Sequence, residues 1–301
     1  MYNYSHNMEE NNCTFVSSRG ILKSTNIHSV NPVSSSSNLR DYSNRFSYNA
    51  DHNSIYICTS AIVSFSYFLQ SIPRPFILVS GDCDLTVPTD IFYSEEQFKL
   101  FIDNPKIIHW YAQNCVINHP KITRIPIGLD YHTLFTNKNH PWGKQMYPLE
   151  QEQMVKQIKL NAKPLKERLC MAYSNCHFFV TSRFGKDRVD AINNIPTECV
   201  YYEPTSVNRE TSWKKQSEYA FVVSPHGNGL DCHRTWEALV LGCIPIVKKS
   251  GLDPLYDGLP VLIVNEWSDV SVDLLTKTVD AFENQEFNLN KLTLQYWIGN
   301  L

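Results

Sequence analysis

The chain has 301 residues, 43 % of them hydrophobic and 19 % charged, enough to bury a core as one large domain or two ordinary ones. A net charge of −3 lacks the positive balance that draws a protein to nucleic acid, so nucleic acid is not an expected partner. Nine cysteines (13, 58, 83, 115, 170, 176, 199, 232 and 243) are an odd number with no C-x-x-C pair, which argues for buried thiols in a reducing compartment rather than a disulfide framework or a zinc site.

Residues 1–50 are rich in Asn and Ser, as in "NPVSSSSN", and show no clear period. They read as a disordered or irregular arm, which Phe15, Tyr42, Phe46 and Tyr48 could dock on the body. No charged start followed by an apolar core marks a signal peptide. The longest apolar stretch, "AIVSFSYFL", is too short to span a bilayer. A soluble, cytoplasmic protein with no membrane span is the expectation.

From residue 54 strands and helices alternate. "SIYICTS" reads as a strand, "AIVSFSYFLQSI" as a helix ended by Pro73, and "PFILVSGD" as a second strand. "SEEQFKLFIDN" is a helix opened by Ser94, "KIIHWYAQN" a third strand, and "ITRIPIGLD" an apolar run ending at a turn. Residues 136–166 form a polar break followed by a helix near "LEQEQMVKQIKLNA". The alternation restarts with strand "RLCMAYS", helix "KDRVDAINNI" and strands "CVYYEP" and "YAFVVSP". Helix "HRTWEALVLG", strand "CIPIV", the apolar "PVLIV" and a helical tail near 271–285 complete it. The pattern predicts an α/β protein with parallel sheets covered on both faces. An N-terminal Rossmann-like domain would span 51–150, a second 151–275, and a tail 276–301 would pack back on the body. Ligands of such sheets bind beyond the carboxyl ends of the strands, here in the cleft between the domains.

Residues 224–251, "SPHGNGLDCHRTWEALVLGCIPIVKKSG", carry the densest chemistry. A strand delivers the chain to a loop in which Gly227 and Gly229 let backbone approach a ligand. Asp231 is the expected N-cap of the helix that follows, Trp236, Leu239 and Val240 its buried stripe, and Gly242 its stop. Arg234 and Glu237, at i and i+3, share a face near the positive end of the helix dipole. An anion such as a nucleotide diphosphate suits those N–H groups and Arg234, and the carboxylate one turn on suits the hydroxyls of a ribose. An ordinary intrahelical Arg–Glu pair is the alternative. No Gly-Lys-[ST] follows the glycines, which excludes a P-loop.

"FVVSPHGNGLDCHRTWEALVLGCIPIV" resembles the donor-binding signature of exostosin-like glycosyltransferases, with "SRFGKDRVDAI" similar to the family's basic segment. The resemblance covers about thirty residues. It implies the GT-B fold, two Rossmann-like domains facing across a cleft. It also implies inverting transfer, without a required metal cofactor, from a nucleotide sugar to a glycan acceptor, a UDP-sugar being the donor and UDP-xylose one candidate. Ser224, Gly227, Asn228 and Gly229 would line the diphosphate loop, Arg234 would contact phosphate and Glu237 the ribose. The missing membrane anchor and short chain depart from eukaryotic members and fit a minimal soluble enzyme of viral or bacterial kind. A GDP-fucose enzyme of similar architecture and a non-catalytic nucleotide-sugar or glycan-binding module remain open.

Other candidates face that signature. Asp82 and Asp84 in "VSGDCDL" follow a strand; they supply a general base for the acceptor hydroxyl, the metal-binding Asp-x-Asp of a GT-A enzyme, or a turn. Asp130 in "IPIGLDYH" is a second base candidate or a strand-end cap. Arg183, Lys186 and Arg188 could clamp the leaving diphosphate, with Lys214 and Lys215 weaker candidates. His226 flanks the loop, as does His233. His109 reads as a core histidine, and Tyr201 and Tyr202 as strand residues or a platform for a base.

Overall fold

The computed structural model describes residues 9–29, 51, 53–178, 180–299 and 301. Tyr42, Phe46 and Tyr48 lie outside the described residues. The architecture is α/β, with two open parallel sheets. The first runs β1 (Ser54–Cys58), β2 (Phe76–Gly81), β3 (Ile107–Gln113) and β4 (Ile122–Ile125), side by side in that order. After the small hairpin β5 (Asn139–His140) and β6 (Gly143–Lys144) comes the second sheet. Its strands are β7 (Leu169–Ser174), β8 (Val200–Tyr202), β9 (Tyr219–Val223), β10 (Ile244–Lys248) and β11 (Leu262–Val264). They lie in the order β11-β10-β9-β7-β8, all parallel. Every residue of β1 and β9 is buried, as an unbroken apolar run demands of a strand covered on both faces.

Helices form where caps and periodicity agree. The short α1 (Ser18–Ser24) opens on Ser17, whose hydroxyl accepts from Gly20 N. The helical stretch after β1 breaks into a 3-10 turn, a single α-turn α2 (Ile62–Ser66) and another 3-10 turn, while Ile62, Phe65, Leu69 and Ile72 still reach the core. The Ser66 hydroxyl bonds the Val63 carbonyl at 2.6 Å, the local competition that makes serine a poor helix interior. Helix α3 (Glu95–Ile102) is capped by Ser94, which accepts from Gln97 N at 3.1 Å. Next come α4 (His132–Thr136), α5 (Pro148–Asn161) and α6 (Gly185–Asn194). Helix α7 (Arg209–Gln216) opens on Asn208, which accepts from Thr211 N at 2.8 Å; it was not among the predicted elements.

The helix of the glycine motif is α8 (His233–Val240). Trp236, Leu239 and Val240 are buried, and Gly242 (φ +74°) turns the chain into β10. Asp231 does not cap it, contrary to expectation: the cap position is Cys232. The Asp231 carboxylate accepts instead from Ile127 N at 2.7 Å and from Trp236 Nε1 at 2.9 and 3.1 Å. Ile127 lies past the end of β4, so its buried N–H has no strand partner and takes this carboxylate from the other half. Burial pushes the Asp231 carboxyl up to about 6, against the pull of these hydrogen bonds.

The tail comprises α9 (Val272–Glu283), a 3-10 turn and α10 (Leu294–Ile298). Residues 13–17 thread between it and the first half: Val16 N donates to Leu292 O, Leu294 N to Thr14 O, and Leu129 N to Val16 O, all within 2.9 Å. Phe15 packs on the core and lies under Lys156. All nine cysteines are free, and most are buried. No helix among the described residues is long and apolar enough to cross a membrane.

Candidate functional site

In the second sheet the strand order reverses between β7 and β9, and ligands of open parallel sheets bind outside the carboxyl ends at such a point. A cleft of about 470 Å³ lies there, walled by both halves. Asp84 and Ile127 come from the first half. Residues 227–229, Arg188, Arg234 and Glu237 come from the second, and α7 adds Arg209, Ser212, Trp213 and Gln216. Those four stand at i, i+3, i+4 and i+7, one face of the helix.

The glycine loop is folded on itself, Gly227 N donating to Gly229 O at 3.0 Å, with Gly227 O accepting from Phe184 N at 2.8 Å. Close approach explains both glycines. A Cβ on Gly227 would stand 2.6 Å from Arg188 Nη2, and one on Gly229 would stand 3.0 Å from Asn114 Nδ2 and 3.2 Å from Asp84 Oδ1. The rest of the loop is braced. Ser224 Oγ meets Thr235 Oγ1 at 2.8 Å in the interior, His226 N donates to Asp187 Oδ2 at 2.9 Å, and His226 Nδ1 meets Leu230 O at 2.9 Å. Ser224 and His226 thus shape the loop and do not border the cleft, whereas Gly227, Asn228 and Gly229 do.

Arg188 and Arg234 gather at this loop. Arg188 Nε donates to His226 O at 3.2 Å, and Arg234 Nε to Asn175 Oδ1 at 3.2 Å. Burial and then repulsion from Arg234 lower the pKa of Arg188. Arg234 and Glu237 form no ion pair within 4.0 Å; the charge nearest Glu237 is Arg209, with Nη2 3.9 Å from Oε1.

The three aspartates part company. Asp84 borders the cleft, and burial raises its carboxyl pKa against the pull of His233 and Arg183. Asp82, in left-handed backbone (φ +54°), is spoken for by Arg19 at 3.5 Å and Ser18 Oγ at 3.3 Å. Asp130 is buried. Its Oδ1 accepts from Thr133 N at 2.9 Å and lies 3.2 Å from His132 Nδ1, and its Oδ2 lies 3.4 Å from Arg209 Nη2. Burial alone would raise its carboxyl, but His233, His132 and Arg209 together hold it well below the usual range. Asp130, His132 and His233 offer ligand atoms within 4.8 Å of one another, a spacing a cation could use. Arg209 already supplies positive charge there, and His233 Nδ1 bonds the Gly128 carbonyl at 2.7 Å.

Other predicted residues lie elsewhere. Arg183 spans the seam, with Nη2 2.6 Å from Asp90 Oδ2 and Nη1 donating to Asp84 O at 3.3 Å; it is a tie between the halves and not a wall of the cleft. Lys186 does not border the cleft either. Lys214 pairs with Glu210 and Lys215 with Glu203. Tyr201 stacks on Tyr173 and on Tyr219, which also meet each other, and Tyr202 meets His177 edge-on, both off the cleft. His109 bonds Thr123 Oγ1 at 2.8 Å.

Arg209 is the residue that sequence reasoning missed. It is 5 % exposed, lies over the rings of Trp142 and Trp213 at 4.7 and 5.4 Å, and donates to Gln151 Oε1 at 2.8 Å and to the Asp130 carbonyl. The only signal was Asn208 as a cap with Trp213 four residues after Arg209.

No family model matches the chain, and no curated protein matches it significantly. Among solved structures it is similar to the UDP-GlcNAc 2-epimerase of Methanocaldococcus jannaschii, at 10 % identity over 86 % of this chain and 76 % of that one, with a TM-score of 0.35. So slight a likeness carries no argument about the site.

Proposed function

We propose that this protein is a GT-B glycosyltransferase, moving a sugar with inversion from a UDP-sugar to a hydroxyl of a glycan acceptor. The observation that supports this most is the meeting of Arg188, Arg234, the 227–229 loop and Glu237 in one cleft, opposite the carboxylate of Asp84. Arg188, Arg234 and the free N–H groups of α8 hold the diphosphate, and Glu237 accepts from the ribose hydroxyls. Asp84 takes the proton of the acceptor hydroxyl as its oxygen bonds the anomeric carbon. The bond from that carbon to the diphosphate oxygen breaks, and its electron pair leaves with the UDP. The two guanidiniums neutralise that developing charge, the part a divalent cation plays in a GT-A enzyme, so none is required. Asp130 has no part in proton transfer; it anchors Arg209 and His132.

Arg234→Ala and Glu237→Ala test the donor assignment. Each removes charge-assisted hydrogen bonds, so UDP affinity measured by titration calorimetry should fall about 10- to 100-fold with the melting temperature little changed. Unchanged affinity in both variants would sink the assignment.

A further inference from the structure

Two histidines and an aspartate meet at the seam between the halves. Asp130 precedes α4 and His132 opens it, just past β4 in the first half, whereas His233 is the first residue of α8 in the second. The ligand atoms these three offer lie within 4.8 Å of one another. His132 Nδ1 is 3.2 Å from Asp130 Oδ1, close to the ~3.3 Å that separates two ligands of a tetrahedral ion bonded at ~2.0 Å. A hydrogen bond between those two accounts for the pair alone. It does not account for a second imidazole brought to the same place from the other half.

The surroundings hold the set as ligands are held. The Gly128 carbonyl can only accept, so its 2.7 Å contact with His233 puts a proton on Nδ1 and leaves Nε2 with a lone pair. Metal-bound imidazoles are ordinarily back-bonded in this way. Asp130 Oδ1 accepts from Thr133 N at 2.9 Å, and Arg209 stands by the other oxygen at 3.4 Å. Arg209 is shared with Glu237 at 3.9 Å, so one guanidinium faces two carboxylates and negative charge is left over for a cation.

We propose that Asp130, His132 and His233 bind a divalent transition-metal ion of the zinc type, which ties the turn after β4 to the start of α8. Two imidazole nitrogens and one carboxylate oxygen suit zinc and its neighbours, whereas Mg²⁺ and Ca²⁺ take oxygen ligands. Water fills the fourth position. Of the three residues only His233 borders the cleft, so the ion braces the seam and is not a partner of the leaving diphosphate.

The test is titration of the metal-free full chain, without nucleotide, with Zn²⁺ by calorimetry and with Co²⁺ by absorbance. One equivalent should bind with a dissociation constant of about 1 µM or tighter, unaffected by Mg²⁺, and Zn²⁺ should raise the melting temperature. His132→Ala and His233→Ala should each weaken Zn²⁺ binding about 100-fold or more. The free thiols, with Cys170 exposed among them, are the competing ligands, and cobalt tells the two apart. Two nitrogens and an oxygen give visible d–d bands without the near-ultraviolet charge-transfer band of a cobalt–thiolate bond. That thiolate band on the bound equivalent, no binding tighter than about 100 µM, or equal affinity in wild type and both variants would overturn the proposal. The wild-type spectrum decides even if a variant fails to fold, and none of these results bears on whether UDP binds.

Discussion

Asp84→Asn is expected to lower kcat by about 10²–10⁴ while leaving UDP affinity within a few-fold of wild type, because in the proposed reaction it removes the general base and not a donor contact. Asp84 alone of the three candidate aspartates borders the cleft, within reach of the glycine loop. Its raised pKa makes it a better proton acceptor than an exposed aspartate. The same shift sets the sign of the pH dependence. Activity should be lost as pH falls through the raised pKa, so the acid limb of the rate profile sits above the ordinary aspartate range. Release of UDP from UDP-xylose, UDP-glucuronate and UDP-hexosamines, with a panel of sugar acceptors, supplies the rate. Asp82→Asn is the control: its carboxylate serves Arg19 and Ser18, and its loss should cost far less. A kcat within a few-fold of wild type for Asp84→Asn would remove it from the mechanism.

Asp130→Ala should destabilise the fold by about 3–5 kcal/mol, since it strands the buried guanidinium of Arg209 without its carboxylate. Urea unfolding of the two proteins at pH 7 measures it. The folded-state pKa of Asp130 is depressed, so the stability tied to its charge is complete above the pKa of an unfolded aspartate. It is lost as pH falls below about 4, and the gap between wild type and variant should close in that direction. A difference under about 1 kcal/mol at pH 7 would mean that Gln151 and Glu237 satisfy Arg209 on their own.

The elements that were legible in the sequence are those whose burial is nearly complete. Strands β1 and β9 are continuous apolar runs, and α8 announces itself by Trp236, Leu239 and Val240 between two glycine-marked ends. Helix α7 was not legible because Trp213 is its one large apolar residue, and the remainder of its buried face is Arg209, Ser212 and Gln216. Polar groups bury there by bonding to one another and to residues 37 to 79 positions away, and such pairings leave no local period. The same reason explains Asp231. Its position before the helix suggested a cap, but the donor that claims it, Ile127 N, comes from 104 residues earlier. Of the predicted cleft residues, the glycine loop, Arg188, Arg234, Glu237 and Asp84 come together. Those next to them in sequence, Arg183 and Asp82, are drawn off by partners across the seam or in α1.

The most direct measurement is a calorimetric titration of UDP into the wild-type chain in the presence of EDTA. Binding that persists in EDTA, with stability rising by about 2.7 kcal/mol at 100 times the dissociation constant, is the predicted result. Binding that requires Mn²⁺ would contradict the two-arginine account and return Asp82 and Asp84 to the role of metal ligands. No binding of any nucleoside diphosphate would contradict the nucleotide-sugar function itself.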